Sequence, residues 1–208
     1  MQLSLEGKKE KQQEVIKSIS YNQDEIFQGI IQLYCPNGFE LDPTYSKGIF
    51  YKNIKQPSYK FDLNPQMKDV KQADCRKLPI KSNSINSIMF DPPFCFGVHG
   101  KTKQNISAKR FTMFQDFDAL KDMYQNSLKE FYRILKSKGI LIFKCQDYTD
   151  SKTTMTHCFV YNWAIEQGFY AKDIFILLTN CRIYNPNLKQ RHSRKYHSYF
   201  WIFEKGVG

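Results

Sequence analysis

The sequence predicts an α/β fold in which helices cover both faces of one mainly parallel sheet. Short apolar segments alternate along the chain with longer segments whose apolar residues recur at helical spacing, and this order favours a parallel sheet. The segments 140–144 and 174–178 are almost wholly apolar, as expected for strands that are buried on both faces. A length of 208 residues suffices for one well-buried domain and is short for two, so residues 1–208 are predicted to form one domain.

The first half of the chain is predicted to hold one helix and four short strands. Residues 1–13 are rich in Lys, Glu and Gln and are expected to be flexible. Apolar residues follow at helical spacing over 14–34, and Pro36-Asn37-Gly38 ends this helix. The strands are expected at 39–41, 59–62, 70–73 and 86–90.

The second half is predicted to supply two helices and three strands. Asp116 or Asp118 caps a helix that runs to Lys136, and Gly139 closes it. The remaining elements are a strand at 140–144, a helix at 154–167 and strands at 174–178 and 197–203. Because no helix lies between the last two strands, they are expected to form an antiparallel hairpin at one edge of the sheet.

Two segments without clear periodicity, 97–115 and 182–196, are rich in Lys and Arg and are predicted to be basic loops. The first of them contains no acidic residue. We expect both loops to contact the substrate. The candidate substrate-binding residues in them are Lys101, Lys103, Lys109, Arg110, Arg191, Arg194 and Lys195.

The composition is strongly basic, with a formal net charge of +11. A surplus of positive charge favours a polyanionic partner, because neutralising phosphates releases counterions. A lysine-rich, solvated surface without such a partner would give the same composition. Composition alone therefore leaves nucleic-acid binding open, and the motifs must decide.

The sequence has no signal for a membrane, an export route or a metal. No apolar run is long enough to span a bilayer and no signal-peptide core follows the polar start, so a cytoplasmic protein is expected. The six cysteines include no C-x-x-C pair and are expected to be free thiols. Cys95 with His99 and Cys158 with His157 are too sparse for a zinc site, so no metal is predicted.

Four acidic residues, Asp42, Asp62, Asp74 and Asp91, lie at or just past the ends of predicted strands. Open α/β sheets bind ligands beyond the carboxyl ends of their strands, so these side chains are candidates for one ligand site. Any one of them alone is explained as well by the frequency of Asp in turns. Their recurrence in one half of the chain favours the ligand site.

The segment Asp91-Pro92-Pro93-Phe94 follows the strand 86–90 and carries the most specific chemical signal. The prolines stiffen the backbone and donate no N–H, so the segment presents two acceptors, the Asp91 carboxylate and the Pro92 carbonyl. Such acceptors can hold both N–H groups of an exocyclic amine and stabilise the positive charge that develops on its nitrogen. The Phe94 ring is suited to stacking on an extruded base, with packing in the core as the alternative.

An Asp-Pro-Pro segment followed by an aromatic residue resembles the signature of the amino-methyltransferases, which make N6-methyladenine or N4-methylcytosine in DNA. Relatives of this family act on RNA bases. The resemblance spans roughly residue 39 to the C-terminus. It implies a Rossmann-like class I methyltransferase fold with a seven-stranded sheet, and S-adenosylmethionine as the cofactor. The catalytic residues that it implies are Asp91, Pro92, Pro93 and Phe94.

The resemblance extends to the segments that bind the cofactor. Residues 41–44 look like the first cofactor motif, in which Asp42 would pair with the ammonium of the methionine moiety, although relatives commonly have more glycines in this loop. Residues 61–63 look like the second-strand acid that holds the ribose hydroxyls, and Asp74 with Leu78-Pro79 looks like the motif that contacts the adenine. The implied cofactor-binding residues are Asp42, Pro43, Thr44, Ser46, Gly48, Asp62, Leu63, Asp74 and Cys75.

The strand 140–144 follows the catalytic strand in the predicted order of strands. The end of this strand puts Lys144 or Gln146 near the base pocket, and Lys144 is assigned to the substrate, with an ordinary strand end as the alternative. No recognition domain of substantial size lies between or after the motifs. Sequence specificity is therefore expected to be slight, or to come from the two basic loops, a homodimer or a partner protein.

The predicted function is methyl transfer from S-adenosylmethionine to an exocyclic amino group of a DNA base, either N6 of adenine or N4 of cytosine. Methylation of an RNA base by the same chemistry is one alternative. A protein glutamine methyltransferase is another, although that class usually has Asn where this chain has Asp91. A catalytically silent binding subunit is the third, because the cofactor loop is poor in glycine.

Overall fold

The computed structural model describes residues 15–97, 113–149, 152–180 and 189–206. Three α-helices lie in these ranges: α1 (Gln23–Tyr34), α2 (Phe117–Ile134) and α3 (Thr156–Glu166). The strands in the same ranges are, in chain order, β1 (Ile19–Ser20), β2 (Leu41–Asp42), β3 (Tyr59–Asp62), β4 (Lys71–Gln72), β5 (Ile85–Phe90), β6 (Cys95–Phe96), β7 (Met113–Phe114), β8 (Leu135–Cys145), β9 (Tyr148–Thr149), β10 (Thr153–Thr154), β11 (Phe169–Leu178) and β12 (His197–Lys205).

Eight of these strands form one sheet in the order β1-β11-β12-β8-β5-β2-β3-β4. The strands β4, β3, β2, β5 and β8 pair in parallel with one another, and β1 pairs in parallel with β11. The last strand, β12, runs antiparallel to both of its neighbours, β11 and β8. The predicted α/β fold, with a mainly parallel sheet and an antiparallel C-terminal hairpin, is therefore confirmed.

The hairpin of β11 and β12 lies toward one end of the sheet, as predicted, except that the two-residue strand β1 lies outside it. β12 is the inner strand of the hairpin. β12 presents apolar residues to both faces: Phe200 and Ile202 pack into the core on one face, and Phe203 packs into the core on the other. A strand that is apolar on both faces is suited to the interior of a sheet, where both edges are also paired. The outer edge of β11 is covered by β1, which makes the sheet eight-stranded where seven strands were predicted.

The N-terminal helix was predicted over 14–34 but begins only at Gln23. Asn22 caps the helix, since its side-chain oxygen accepts a hydrogen bond from the Asp24 N–H at 2.9 Å. The residues before the cap, Ile19 and Ser20, form β1 instead. The helical spacing of apolar residues continues across this boundary, so the spacing alone could not locate the cap.

Helix α2 begins as predicted and ends slightly earlier. The Asp116 side chain accepts a hydrogen bond from the Ala119 N–H at 2.8 Å, which identifies Asp116 as the cap. The helix ends at Ile134, and Lys138 takes the left-handed backbone conformation that was expected of Gly139. Gly139 is required for a different reason, because a Cβ atom there would lie 2.8 Å from the Lys136 carbonyl oxygen.

Strand β5 lies between two apolar cores and is packed on both faces. On one face, the Phe90 ring contacts the rings of Phe131 and Phe143 at centroid distances of 4.7 and 4.9 Å. On the other face, Met89 belongs to the core that contains α1. Because Met89 and Phe90 are both fully buried, the packing of the core fixes the position of Asp91, the next residue.

The predicted basic loops lie largely outside the described residues, which omit 98–112 and 181–188. The first predicted loop, 97–115, includes the short strand β7, which pairs in parallel with β6. Residues 189–196 are irregular, as predicted. Among the described residues, no helix combines the length and the hydropathy needed to cross a bilayer. The prediction of flexibility for 1–13 falls outside the described residues, and the single domain stays a prediction.

Candidate active site

The carboxyl ends of the parallel strands bring three of the predicted site residues together. Asp42 ends β2, Asp62 ends β3 and Asp91 directly follows β5. Thr44 connects two of these strand ends, since the Asp91 N–H donates to Thr44 Oγ1 at 3.1 Å and the Thr44 N–H donates to Asp42 Oδ1 at 2.8 Å. The third strand end, that of β3, is connected to the other two through the same loop, because Asp62 Oδ2 accepts the Ser46 N–H at 2.9 Å.

The segment 91–94 is held from the core by Tyr124 of α2. The Tyr124 hydroxyl donates to the Pro93 carbonyl oxygen at 2.8 Å, and its ring is fully buried. Burial raises the pKa of Tyr124 well above its ordinary value, which keeps the phenol protonated as a donor. Pro92 is buried, while Pro93 and Phe94 are half-buried. The segment therefore lies on the rim of the sheet and is held there by a buried donor.

Lys144, at the end of β8, lies beside Asp91. Its Nζ is 3.2 Å from Asp91 Oδ2, and the two side chains are 19% and 30% exposed. The same Nζ lies 4.7 Å from the ring centroid of Phe50 and 5.7 Å from that of Phe200. The ammonium is thus bounded by one carboxylate and two aromatic faces, which attract a cation.

Asp42 is a buried carboxyl that accepts hydrogen bonds from Thr44, through its N–H and its hydroxyl, and from Tyr51. Oδ1 accepts the Thr44 N–H, and Oδ2 accepts the Tyr51 hydroxyl at 2.7 Å. Burial raises the pKa of Asp42 to about 7, although the hydrogen bonds from Tyr51 and Thr44 lower it, and the charge of Asp91 raises it further. A cation brought to this carboxylate would offset the cost of its burial, so the site is suited to a positively charged ligand.

An aromatic pair packs in the loop that follows β2. The rings of Tyr45 and Tyr51 stack at a centroid distance of 5.3 Å and an interplanar angle of 11°. Gly48 has a φ of +64°, and a Cβ atom on it would collide with the Tyr45 side chain. Ser46 also has a positive φ, of 52°. The loop thus has the left-handed turns of a glycine-rich loop, with glycine only where Tyr45 excludes a side chain.

The remaining predicted cofactor-binding residues differ from one another in their contacts and in their burial. Asp62 also accepts the Asn64 N–H at 2.8 Å through Oδ1, and Leu63 next to it is exposed. The Asp74 carboxylate accepts hydrogen bonds from the Arg76 side chain, 2.7 Å at the shortest, and Arg76 holds the pKa of Asp74 below its usual range. The Cys75 thiol is buried, 3.4 Å from Ser127 Oγ, so only its backbone is placed to meet a ligand.

Part of the second basic segment is attached to the same rim of the sheet. Gln146, which is buried just after β8, lies with its Nε2 3.5 Å from the Lys195 carbonyl oxygen. The Thr179 N–H donates to the Tyr196 carbonyl at 2.9 Å, which ties the segment to the end of β11 as well. Arg191 is exposed, and Arg194 and Lys195 are half-buried. The other predicted substrate residues, Lys101, Lys103, Lys109 and Arg110, lie outside the described residues.

Sequence reasoning missed a polar cluster around the buried Asp147, two residues beyond β8. The Asp147 carboxylate lies 2.7 Å from His157 Nδ1, and the His157 ring stacks on the Tyr199 ring at a centroid distance of 4.3 Å. The Tyr199 hydroxyl is 2.8 Å from His197 Nε2. The sequence analysis also missed the roles of Phe50, Tyr51 and Tyr124, because these residues resemble ordinary apolar positions. Within the described ranges, no group of three or more His, Cys, Asp and Glu residues has the arrangement of a metal site.

The chain resembles solved structures, while no protein-family profile and no curated protein matches it. It aligns with the [4+2]-cyclase SpnF at 11% identity and a TM-score of 0.54, over 89% of this chain and 82% of that one. It aligns with TrmN from Thermus thermophilus at 14% identity and a TM-score of 0.51, over 87% of this chain and 48% of that one. The fold is the Rossmann-like fold of the class I methyltransferases.

A candidate DNA modification methylase from Thermus thermophilus also aligns, at 16% identity and a TM-score of 0.46, over 65% of this chain and 53% of that one. The chain therefore spans about half the length of this protein and of TrmN. One of the proteins that share the class I methyltransferase fold is a cyclase, so the fold does not define the reaction. The chemistry must be argued from the residues of the site.

Proposed function

We propose that the protein transfers a methyl group from S-adenosylmethionine to an exocyclic amino group of a nucleic-acid base, with DNA favoured over RNA. The observation that supports this most is the segment Asp91-Pro92-Pro93-Phe94. It lies at the carboxyl end of β5, is held by Tyr124 and is joined through Thr44 to the buried carboxyl of Asp42. Acceptors for an amine thus lie next to a site suited to a cationic ligand.

The residues at the ends of β2 and β3 fit the proposed cofactor. Asp42 is buried and has no cationic partner among its hydrogen-bond contacts with Thr44 and Tyr51, so an ammonium group would complete its environment. The Asp62 carboxylate retains lone pairs for the hydroxyl groups of a ribose. Asp74 and the Cys75 backbone are proposed to contact the adenine, with Pro43, Thr44, Ser46, Gly48 and Leu63 lining the remainder. When bound, S-adenosylmethionine supplies an electrophilic methyl group.

The residues at the end of β5 are proposed to prepare the amine. Asp91 and the Pro92 carbonyl accept its two N–H groups, which turns the nitrogen lone pair out of conjugation with the ring. Phe94 stacks on the base. The new N–C bond forms as the C–S bond of the donor breaks, and the positive charge on nitrogen is stabilised by the two acceptors. The proton then leaves to water, so that no separate general base is needed.

The electrostatics of the rim support a nucleic-acid substrate. The chain has a formal net charge of +11, and the basic segment 189–196 is attached through the backbone of Lys195 and Tyr196 to the ends of β8 and β11. Its basic side chains are those of Lys189, Arg191, Arg194 and Lys195. We propose that these side chains, together with Lys101, Lys103, Lys109 and Arg110, contact phosphates near the target base. The whole chain is proposed to act as one catalytic domain, with any sequence specificity supplied by these segments, a second copy of the chain or a partner.

The test is transfer of labelled methyl from S-adenosylmethionine to DNA and RNA, followed by nucleoside analysis. We expect label in N6-methyladenine or N4-methylcytosine from DNA. Asp91→Ala should abolish transfer and still bind the cofactor. Asp69→Ala is the matched control, because it removes an exposed carboxylate that is paired with Lys60. Its activity should remain at the wild-type level.

The other outcomes separate the alternatives. Label in RNA alone would assign the same chemistry to an RNA base. Label in glutamine residues of protein would assign it to a protein amide. Cofactor binding without transfer to any of these acceptors would contradict the proposal and favour a silent subunit, as would full activity of the Asp91→Ala variant.

A further inference from the structure

Asp91 and Lys144 form a hydrogen-bond acceptor and donor that lie side by side on neighbouring strands. Asp91 Oδ2 is 3.2 Å from Lys144 Nζ, at the ends of β5 and β8. Asp91 is the residue proposed above to accept an N–H of the target amine. A base that reaches Asp91 therefore also meets the Lys144 ammonium, and the inference that follows rests on the proposed function.

The packing around Lys144 keeps its ammonium at this place. The residue pairs with Phe200 across β8 and β12, and Nζ lies over the rings of both Phe200 and Phe50. Cation–π contacts with two rings restrict the side chain more than a solvent-exposed lysine would be restricted. Because the ammonium has three N–H groups and Asp91 takes one of them, a second donor remains for a ligand.

We propose that Asp91 and Lys144 together read one edge of the target base. Asp91 accepts an N–H of the exocyclic amine, and Lys144 donates to the ring nitrogen that is bonded to the same carbon. The substrate class is then a base with an amine beside an unprotonated ring nitrogen, which adenine and cytosine both have. Asn and Gln use the same combination of one acceptor and one donor when they contact the amine and N7 on the other edge of adenine.

This pairing rejects the bases that carry oxygen in place of the amine. Thymine and uracil present a carbonyl oxygen beside a ring N–H, so both members of the pair would meet the wrong partner. A site built for one hydrogen-bond pattern discriminates strongly against its inverse, because buried polar groups are left unpaired. Lys144 is thus a residue that determines specificity, while Asp91 serves both recognition and reaction.

The contact with Lys144 is expected to contribute to binding and not to the rate of the chemical step. A cation on the ring nitrogen draws charge from the ring and makes the amine a weaker nucleophile. The hydrogen bond is therefore no stronger in the transition state than in the bound ground state, and such a contact lowers KM without raising kcat.

The experiment compares wild type and Lys144→Met on oligonucleotides with adenine or 1-deazaadenine at the target position, and with cytosine or 3-deazacytosine. Methionine keeps the length of the side chain and removes the donor. One good contact of this type is worth about 1–3 kcal/mol, or about 5- to 150-fold. We expect wild type to favour the natural base over its deaza analogue by a factor in this range, through KM. The Lys144→Met variant should lose that preference, with a ratio near one.

Two controls locate the effect. An oligonucleotide with 7-deazaadenine, which keeps the ring nitrogen beside the amine, should be methylated as well as adenine. Lys172→Met removes the same charge from a lysine that pairs with Glu204, and it should retain the preference. Equal use of adenine and 1-deazaadenine by wild type would overturn the role of Lys144 and leave the proposed function standing. Absence of transfer to every base would overturn both the role of Lys144 and the proposed function. If Lys144→Met fails to fold, the comparison of natural and deaza bases with wild type still tests the role of Lys144.

Discussion

The hydroxyl of Tyr124 lies 2.8 Å from the carbonyl oxygen of Pro93 and connects the interior of α2 to the proposed catalytic segment. The Tyr124 ring packs against Phe143 and Trp163 at centroid distances of 5.1 and 6.4 Å. A phenol buried among aromatic rings has few possible partners, so the Pro93 carbonyl satisfies the donor while the donor orients the carbonyl. The segment 91–94, although only Pro92 in it is buried, is thereby attached to the core by a buried donor.

Removing this hydroxyl should therefore lower activity more than cofactor binding. Tyr124→Phe keeps the ring and deletes the donor, and we expect a loss of about 1 kcal/mol in the free energy of unfolding. Single-turnover transfer should slow about tenfold, because the segment is less well oriented. Tyr34→Phe is the matched control, since it deletes a hydroxyl that bonds to Asp173 at 2.6 Å. A similar loss of rate in both variants would contradict a specific role for Tyr124.

The buried carboxyl of Asp42 predicts a dependence of stability on pH. Burial raises its pKa in the folded protein to about 7, above an unfolded value of about 4. Stability from this group is fully present below pH 4 and is lost as the pH rises through about 7. Relative to Asp42→Asn, wild type should become less stable between pH 4 and 8, by up to about 4 kcal/mol at about 1.4 kcal/mol per pKa unit.

Urea denaturation of both proteins across this pH range measures the effect. Asp69→Asn is the control with the opposite sign, because hydrogen bonding to Lys60 lowers the pKa of Asp69. Saturating cofactor should reduce the loss at high pH, since its ammonium would pair with the ionised carboxylate. A difference between wild type and Asp42→Asn that is constant with pH would disprove the raised pKa.

Gly48, the single glycine of the proposed cofactor loop, should tolerate no side chain. Gly48→Ala imposes a φ of +64° on alanine and places its Cβ against the Tyr45 side chain. Gly38→Ala imposes a similar φ of +83°, but the Cβ there lies at an ordinary 3.7 Å from Lys55. We expect a loss of about 1–2 kcal/mol from backbone strain in Gly38→Ala. Gly48→Ala should lose at least about 1 kcal/mol more from overpacking.

Calorimetric titration with S-adenosylmethionine completes this comparison. Binding should weaken in Gly48→Ala, because Tyr45 stacks on Tyr51, which in turn bonds to Asp42. Binding by Gly38→Ala should equal that of wild type. If the two variants are equally stable and bind equally well, the close approach of Gly48 and Tyr45 has no role.

The basic segment 189–196 predicts a measurable salt dependence of nucleic-acid binding. The double variant Lys189→Gln/Arg191→Gln should bind DNA more weakly and lower the slope of log K against log salt by about 2, or about one per lost phosphate contact. Lys172→Gln and Lys121→Gln together remove the same charge from positions outside this segment. Their slope should equal that of wild type, and an equal reduction in both proteins would mean that only net charge matters.

Much of the fold was readable because its signals are local. The apolar run of β8 is buried from Ile140 to Phe143, and Asp116 caps α2 as its place before the apolar period indicated. The run 174–178 of β11 was also predicted to be buried, but there only Phe175 is buried and its neighbours are half-buried. The start of α1 was not readable, since Ile19 fits a helical period as well as a strand. The edge of β11 decides between them by offering backbone partners at Ile176 and Leu177.

In the candidate site, too, some residues could be predicted from the sequence and others could not. Asp91-Pro92-Pro93-Phe94 and the acids at the strand ends are recognisable in the sequence, because parallel strands place their carboxyl ends on one rim. The partners of these residues are not recognisable. Tyr51 reads as an apolar residue of a short turn and Tyr124 as one face of a helix, yet they supply the hydroxyls for Asp42 and Pro93.

By itself, the sequence predicted the class of fold, the proposed catalytic segment and the positions of its candidate acids, since each depends on residues that are close along the chain. The tertiary structure alone decided that β12 lies inside the sheet, that Asp42 is a buried carboxyl and that Lys144 adjoins Asp91. Burial and ion pairing depend on which distant strands become neighbours. That choice is made by the packing of two apolar cores against one sheet, and no local pattern contains it.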